Sequence, residues 1–565
     1  MKLGLALSGG GFRASFFHLG VLARMAEWGL LRHVEALSTV SGGSILGAVY
    51  YVHLKRLLET KADADIRDED YVHLVEQMEG SFLAAVQKNI RMRNFLNPWK
   101  NIKMSRADYS RSDRIGELYD ELLYRPAFRP GRQTMIEMRE LKILPLGDRQ
   151  DFHPRAHNAG RRAKVPILLL NATALNTGHN WRFEASTMGT PPRDSATALD
   201  VDKNRRLLRP PSYADVTPRQ QNVELGLAVA ASACVPGVFH PLALSELYES
   251  LRIELVDGGV HDNQGIQGLL DEDCTHLVVS DASGQMEDAA QPATRMWAVL
   301  SRTSDVLMDR VREEELLDLL GARGLPTAFV HLRRGLPVEV VPYFDQHGKP
   351  APAANAPTSA GFGVDPRVQE CLSRIRTDLD SFTEIEACSL MLDGYLMSEP
   401  ALRSTSDLGR AATSGIAPGG HWRFLAIQRW MSQPTDGYLK HLRVGHETLF
   451  KLFRLSPLTA VATAAVALVL AWLLWRWQGP AIVSAWNTRL TVGQLVILAA
   501  VAALGFVPGL GEAIRWLRLL RSPTQWLLQF VLRGLLPALG AGFVWLHLQI
   551  FDRLFLGLGR LDRLK

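Results

Sequence analysis

The chain has 565 residues, 47% of them hydrophobic and 21% charged, with a net charge of +5. It is longer than one average domain, and its composition fits a globular protein with something additional and apolar attached. Cys234, Cys274, Cys371 and Cys388 stand far apart without CxxC or His-rich spacing, which argues against a zinc site or a disulfide framework. The modest charge, with no helix-turn-helix, finger or RNA-binding signature, argues against nucleic acid.

The opening "MKLGLALSGGGFR" runs an apolar stretch straight into glycines and predicts a buried first strand rather than a signal peptide. A helix follows over "FFHLGVLARMAEWGLL", then a strand over "VEALSTV" and a helix over "SILGAVYYVHLKRLLE". Residues from about 60 to 160 break this rhythm with charged helical material and predict an insertion near one end of the sheet. Within it, basic residues crowd between Lys88 and Arg114, with Phe95 and Trp99 interleaved. That patch suits anionic headgroups; a solvated basic face is the plain alternative. Further strands are predicted at "VPILLLNATAL", "IELVDGG" and "THLVVSDAS". Continuous apolar strands separated by helices predict an α/β domain over residues 1–395, its mostly parallel sheet covered on both faces.

Residues 396–455 read as a linker and juxtamembrane segment, and 456–565 as a membrane domain with two or three spans. Leu458 to Trp475 is an uncharged run just long enough to cross a hydrocarbon core, and Thr491 to Leu510 is a second. Gly534 to Phe551 is a weaker third, interrupted by Pro537 and His547. Lys440, Arg443, Lys451 and Arg454 precede the first span and Arg515, Arg518 and Arg521 follow the second, against Arg476 and Arg489 between them. The positive-inside rule then places the large domain on the cytoplasmic side of a multi-pass protein of the inner or cytoplasmic membrane.

Three motifs carry chemistry. Ser8-Gly9-Gly10-Gly11-Phe12-Arg13 lies between a strand and a helix, where successive N–H groups converge and the helix adds its positive end. Neither GxGxxG nor GxxxxGK[ST] fits it, so a nucleotide cofactor is not expected. Arg13 would serve a lipid phosphate or hold the glycine loop. Ser41, in "TVSGGS", sits at a strand-to-helix corner, where it is either an N-cap or a nucleophile. Gly43 meets the elbow's need for a small residue, but Thr39 stands where GxSxG has glycine. Asp257-Gly258-Gly259 ends an apolar strand and offers a carboxylate as base. His261 follows from the same loop, whereas a hydrolase histidine comes from a different one. No HExxH or calcium loop is present, so no metal is expected.

Taken in order, these motifs resemble the patatin-like phospholipase family, with its GGGx[RK] oxyanion loop, GxSxG elbow and DG[GA] aspartate. "ASACVPGVFHP" and "RTDLDSFTEIEA" resemble further segments of that family, and "SGGGFRA" with "VSGGS" is similar to its cytosolic phospholipase A branch. The resemblance implies a three-layer α/β/α fold and ester hydrolysis by a Ser41/Asp257 dyad. In that reading Gly9, Gly10, Gly11 and Arg13 form the oxyanion element, joined by the N–H of Gly42. Ala14 and Thr39 depart from the family pattern. The expected activity is that of a membrane-anchored lipid acyl hydrolase, of phospholipase A or lysophospholipase type, acting on bilayer phospholipid or lysophospholipid. The alternative is a membrane-anchored scaffold or regulated effector with little resting hydrolysis. A homo-oligomer is left open.

Overall fold

The computed structural model describes residues 1–104, 109–191, 204–284, 286, 288–338, 340–351, 362–411, 422–487 and 536–564. The strands are β1 (Leu3–Leu7), β2 (Val34–Val40), β3 (Ile167–Ala174), β4 (Asn180–Phe183), β5 (Met188–Gly189), β6 (Leu242–Tyr248), β7 (Leu251–Asp257), β8 (His276–Asp281) and β9 (Thr327–His331). They form one sheet in the order β5-β4-β3-β2-β1-β8-β9, with the β6–β7 hairpin attached to β3. β3, β2, β1, β8 and β9 are parallel to one another. β1 is buried along its whole length and β2 almost so, as continuous apolar strands must be when helices cover both faces.

Four longer helices build those layers: α1 (Gly11–Glu27), α2 (Gly42–Thr60), α3 (Asp68–Val86) and α4 (Leu225–Ser232). Downstream come α5 (Met296–Leu317) and α6 (Glu384–Ser404). The α1–α6 contact is close because two glycines permit it. A Cβ on Gly20 would lie 1.8 Å from Met391 O, and one on Gly394 would lie 2.1 Å from Phe17 O.

Two findings differ from the sequence reading. The helical segment expected as an insertion near one end of the sheet also contributes to the core: Tyr71, Val75, Met78 and Phe82 of α3 are buried, and Phe82 packs edge-on against Phe12 and Phe16. Residue 395 falls inside α6, and the chain from 111 through 446 clusters with the N-terminal strands of the sheet. The described residues divide into one unit of 1–91, 111–446 and 559–565 and another of 92–110 and 447–558.

In the second unit, Leu458 to Trp475 lie within α7 (Pro457–Asn487), whose side chains are described through Leu473 and at Trp475 and Arg476. The stretch 491–510 lies outside the described residues. The third stretch is broken into Leu536–Leu546, a π-turn at His547–Phe551 and Asp552–Leu558. Among the described residues no helix is long and apolar enough to cross a membrane.

Candidate active site

Sheet register brings the two chemical motifs together. Val40 at the end of β2 is level with Asn171 of β3, so the next step, Ser41, is level with Ala172. Ala172 is paired with Asp257 across the antiparallel β3–β7 contact. Asp257 therefore arrives on a strand running against the parallel set, which the sequence reading did not foresee.

Ser41 has φ 50 and ψ −115, a conformation that non-glycine residues rarely adopt and that costs about 1–3 kcal/mol. Although it occupies the N-cap position of α2, its side chain makes no capping bond. The hydroxyl instead lies close enough to the Asp257 carboxylate to oppose the rise in that group's pKa. The N-cap reading is therefore not what the side chain does at this corner. The corner closes only because its neighbours lack side chains: a Cβ on Gly42 would meet Gly11 O at 2.1 Å, and one on Gly43 would meet Leu7 O at 2.2 Å.

Thr39 is accommodated rather than disruptive. Its Cγ2 occupies space that Gly47 leaves free, 2.6 Å from where a Cβ would stand. Its hydroxyl donates to Leu169 O at 3.1 Å, so it must accept from Ser44 Oγ, 2.9 Å away. Ser44 in turn accepts from Ser232 Oγ at 2.8 Å, and Ser232 receives the Ser41 N–H at 3.0 Å. A one-directional hydroxyl chain thus ties the strained serine's backbone to β3. We expect Gly47→Ala to destabilise the protein by about 1–3 kcal/mol through overpacking. Adding Thr39→Ser, which removes the methyl and keeps the hydroxyl, should restore most of that loss in urea denaturation.

Asp257 is 6% exposed and accepts the Gly259 N–H at 2.7 Å. Burial raises its pKa to about 6, that hydrogen bond and the nearby Ser41 hydroxyl opposing the rise only in part. Its own N–H donates to Cys234 O at 2.9 Å, so the "ASACVPGVFHP" segment positions the base from behind.

In the glycine loop, the N–H groups of Ser8, Gly9 and Phe12 donate to Ser280 O, Asn263 O and Asp378 O at 3.1, 3.0 and 3.1 Å. Those of Gly10 and Gly11, and that of Gly42 in the first turn of α2, have no acceptor assigned among the described residues. Gly10 at φ 133 and Gly11 at φ 58 take conformations suited to glycine. Of the two roles left open for Arg13, the geometry supports holding the loop. Its guanidinium is buried and donates to Ser373 O, Ile375 O and Ala282 O at 3.2, 2.8 and 3.0 Å. Arg13 therefore holds the glycine loop from behind.

Residues not singled out from sequence complete the site. Neutral His18, its pKa lowered to about 4 by burial, donates from Nε2 to Ser8 O at 3.0 Å and accepts from Ser280 Oγ at Nδ1, 2.7 Å. Ser8 O also receives the Gly43 N–H at 3.0 Å, so His18 braces both the loop and the elbow. Helical spacing held the signal: Gly11, Ser15 and His18 share one face of α1, and Ser15 Oγ donates to Gly42 O at 2.7 Å. Asn263 fills the slot between the two glycine turns. Its Oδ1 lies 2.3 Å from where a Gly9 Cβ would stand and 2.6 Å from that of Gly259. Among the described residues no group of side chains is arranged to hold a metal ion.

Human GIVD cytosolic phospholipase A2, in complex with a methyl gamma-linolenyl fluorophosphonate inhibitor and terbium chloride, is similar at 14% identity with a TM-score of 0.37, over 73% of this chain and 59% of that one. Another structure of human GIVD cytosolic phospholipase A2 gives 13% and 0.33 over 73% and 60%. The chain thus spans about three fifths of the length of the solved structures it matches. No curated protein matches it. Residues 5–270, which contain the glycine loop, the Ser41 corner and Asp257, match the model of the patatin-like phospholipases, the family that this part of the chain resembles.

Proposed function

We propose that the chain is a serine lipid acyl hydrolase in which Ser41 is the nucleophile and Asp257 the general base. The observation that carries this reading is the strained, uncapped Ser41 set by sheet register beside the buried Asp257 carboxylate, next to glycine N–H groups with no acceptor assigned among the described residues. In the first half-reaction Ser41 Oγ attacks an ester carbonyl while Asp257 takes its proton. The N–H groups of Gly10, Gly11 and Gly42 face the developing oxyanion, a contact worth about 3 kcal/mol per donor. Asp257 returns the proton to the departing alcohol as the C–O bond breaks. Water, deprotonated by Asp257, then cleaves the acyl-enzyme, releasing the fatty acid and restoring the serine.

We further propose a phospholipid or lysophospholipid substrate at the cytoplasmic leaflet, with the C-terminal segment as the anchor. Supporting that, α7 turns its apolar residues outward: Leu458, Val461, Leu468 and Trp475 are all more than half exposed. Anchoring would raise the effective substrate concentration at the pocket. The scaffold alternative drew on Thr39, and the room left by Gly47 removes that support.

The test is incubation of the purified full chain with phosphatidylcholine vesicles and, separately, with a fluorophosphonate probe. Release of fatty acid together with covalent labelling is expected. A folded protein that neither labels nor releases fatty acid would leave the scaffold reading in possession.

A further inference from the structure

α5 connects β8 to its parallel neighbour β9 and by convention should lie flat on the sheet. It is too long to do so. Its 22 residues span about 33 Å, whereas the six residues of β8 span about 20 Å. Side-chain contacts fix where the excess lies. Leu316 packs against the apolar cluster that includes Leu277 and Val279 of β8, and Arg312 Nε donates to Asp281 Oδ2 at 3.1 Å, at the carboxyl end of that strand. Residues 296–311 therefore run on for about 24 Å beyond the carboxyl edge of the sheet, the edge at which the Ser41 corner opens.

No residue of α5 is buried. At 100° per residue, Met296, Val299, Leu300, Val306 and Leu307 share one arc with Trp297 at its margin, and all six are exposed, Trp297 by 77% and Leu307 by 62%. Within residues 296–311 the acids Asp305 and Asp309 lie on the other side, where Asp309 pairs with Arg312 at 3.2 Å; beyond that segment Glu314 returns to the arc and pairs with Arg310. Arg302 borders the apolar arc, and Arg310 lies within it. The chain leaving β9 exposes more of the same chemistry, with Val341, Tyr343 and Phe344 each more than 70% exposed. The inner end of α5 lies near the Asp257 turn: Glu315 stands close to Asp262, whose carboxylate accepts the N–H groups of Gly265 and Gln267 at 2.7 and 2.8 Å.

We propose that residues 296–311 are an interfacial helix that lies in the headgroup layer of an anionic phospholipid surface, holding the carboxyl edge of the sheet, and so Ser41, against it. An apolar arc ending in an indole and bordered by arginine, with acids turned away, is complementary to such a surface. The inference rests on the lipid-hydrolase reading for its choice of partner.

The test uses the full chain carrying Leu300→Cys in a Cys371→Ser background, labelled with an environment-sensitive fluorophore and mixed with vesicles of equal parts phosphatidylcholine and phosphatidylglycerol. A blue shift on adding vesicles is expected, and the label reports on α5 whether or not another segment also anchors the protein. In parallel, Trp297→Glu/Leu300→Glu should lower vesicle hydrolysis at least tenfold while leaving a soluble short-chain ester unaffected. Leu208→Glu, at another site that is 86% exposed, should change neither. An unshifted label with unchanged vesicle hydrolysis overturns the inference. So does a label already blue-shifted without lipid, which would mean that a second copy or another segment covers the helix. If neither substrate is hydrolysed, the hydrolase reading falls and the label shift alone decides the role of α5.

Discussion

Replacing Ser41 by alanine is expected to lower ester hydrolysis by about 10⁴-fold or more and to abolish fluorophosphonate labelling, with the fold retained. The loss should be that large because no neighbouring hydroxyl can substitute. Ser8 Oγ receives the Ala282 N–H at 2.9 Å and donates to Gly9 O at 3.1 Å, both wholly inside the protein. Ser44 and Ser232 are spent in the chain that ends on Leu169 O. The backbone N–H of residue 41 still reaches Ser232, so the corner keeps its support. Circular dichroism and thermal melting should therefore match the parent within a few degrees, while fatty-acid release from vesicles falls to background. Full activity in a folded Ser41→Ala protein would place the nucleophile elsewhere and end the dyad reading.

Much of this site was legible because its parts are local. Three glycines after an apolar strand, a serine between strand and helix, and an aspartate ahead of two glycines each declare a backbone geometry within a few residues. Their order along the chain added the rest. What was not legible depends on contacts between distant segments. The seven residues of β7, four of them apolar, read alike in either direction, so periodicity could not reveal that the strand runs antiparallel to β3. Asn263 has no motif, and Ser232, though inside "ASACVPGVFHP", has no role that the motif declares; each matters because the fold sets it against a glycine turn or a backbone N–H. The charged composition of residues 60–160 hid Tyr71, Val75, Met78 and Phe82, although their three- and four-residue spacing is that of a buried helical face. At Thr39 the error was one of pairing: the residue looks too large for an elbow until Gly47, eight positions on, is found to supply the space.

The second large effect concerns the base, and it moves activity and stability in opposite directions. Asp257 must be ionised to take the serine proton, so kcat/KM should rise with pH along an acidic limb with an apparent pKa of about 6 and fall about tenfold per pH unit below it. Asp257→Asn cannot accept that proton and should lose about 10²–10⁴-fold in kcat/KM and the acidic limb with it. Folding responds the other way. Because burial raises the carboxyl from its ordinary 3.8 to about 6, the folded protein binds more proton than the unfolded chain across that window. Stability is therefore full below about 4 and is lost as pH rises through about 6. By pH 7 the buried charge costs up to about 3 kcal/mol, at 1.36 kcal/mol for each pH unit of the rise. Asparagine keeps an oxygen for the Gly259 N–H and offers its amide to Ser41 Oγ without carrying a charge. The Asp257→Asn protein should thus melt higher than the parent at pH 7 to 8 and indistinguishably from it near pH 4. A variant that is inactive but no more stable at pH 7 would mean that the carboxylate is better solvated than its burial implies, and the acidic limb should then lie well below 6.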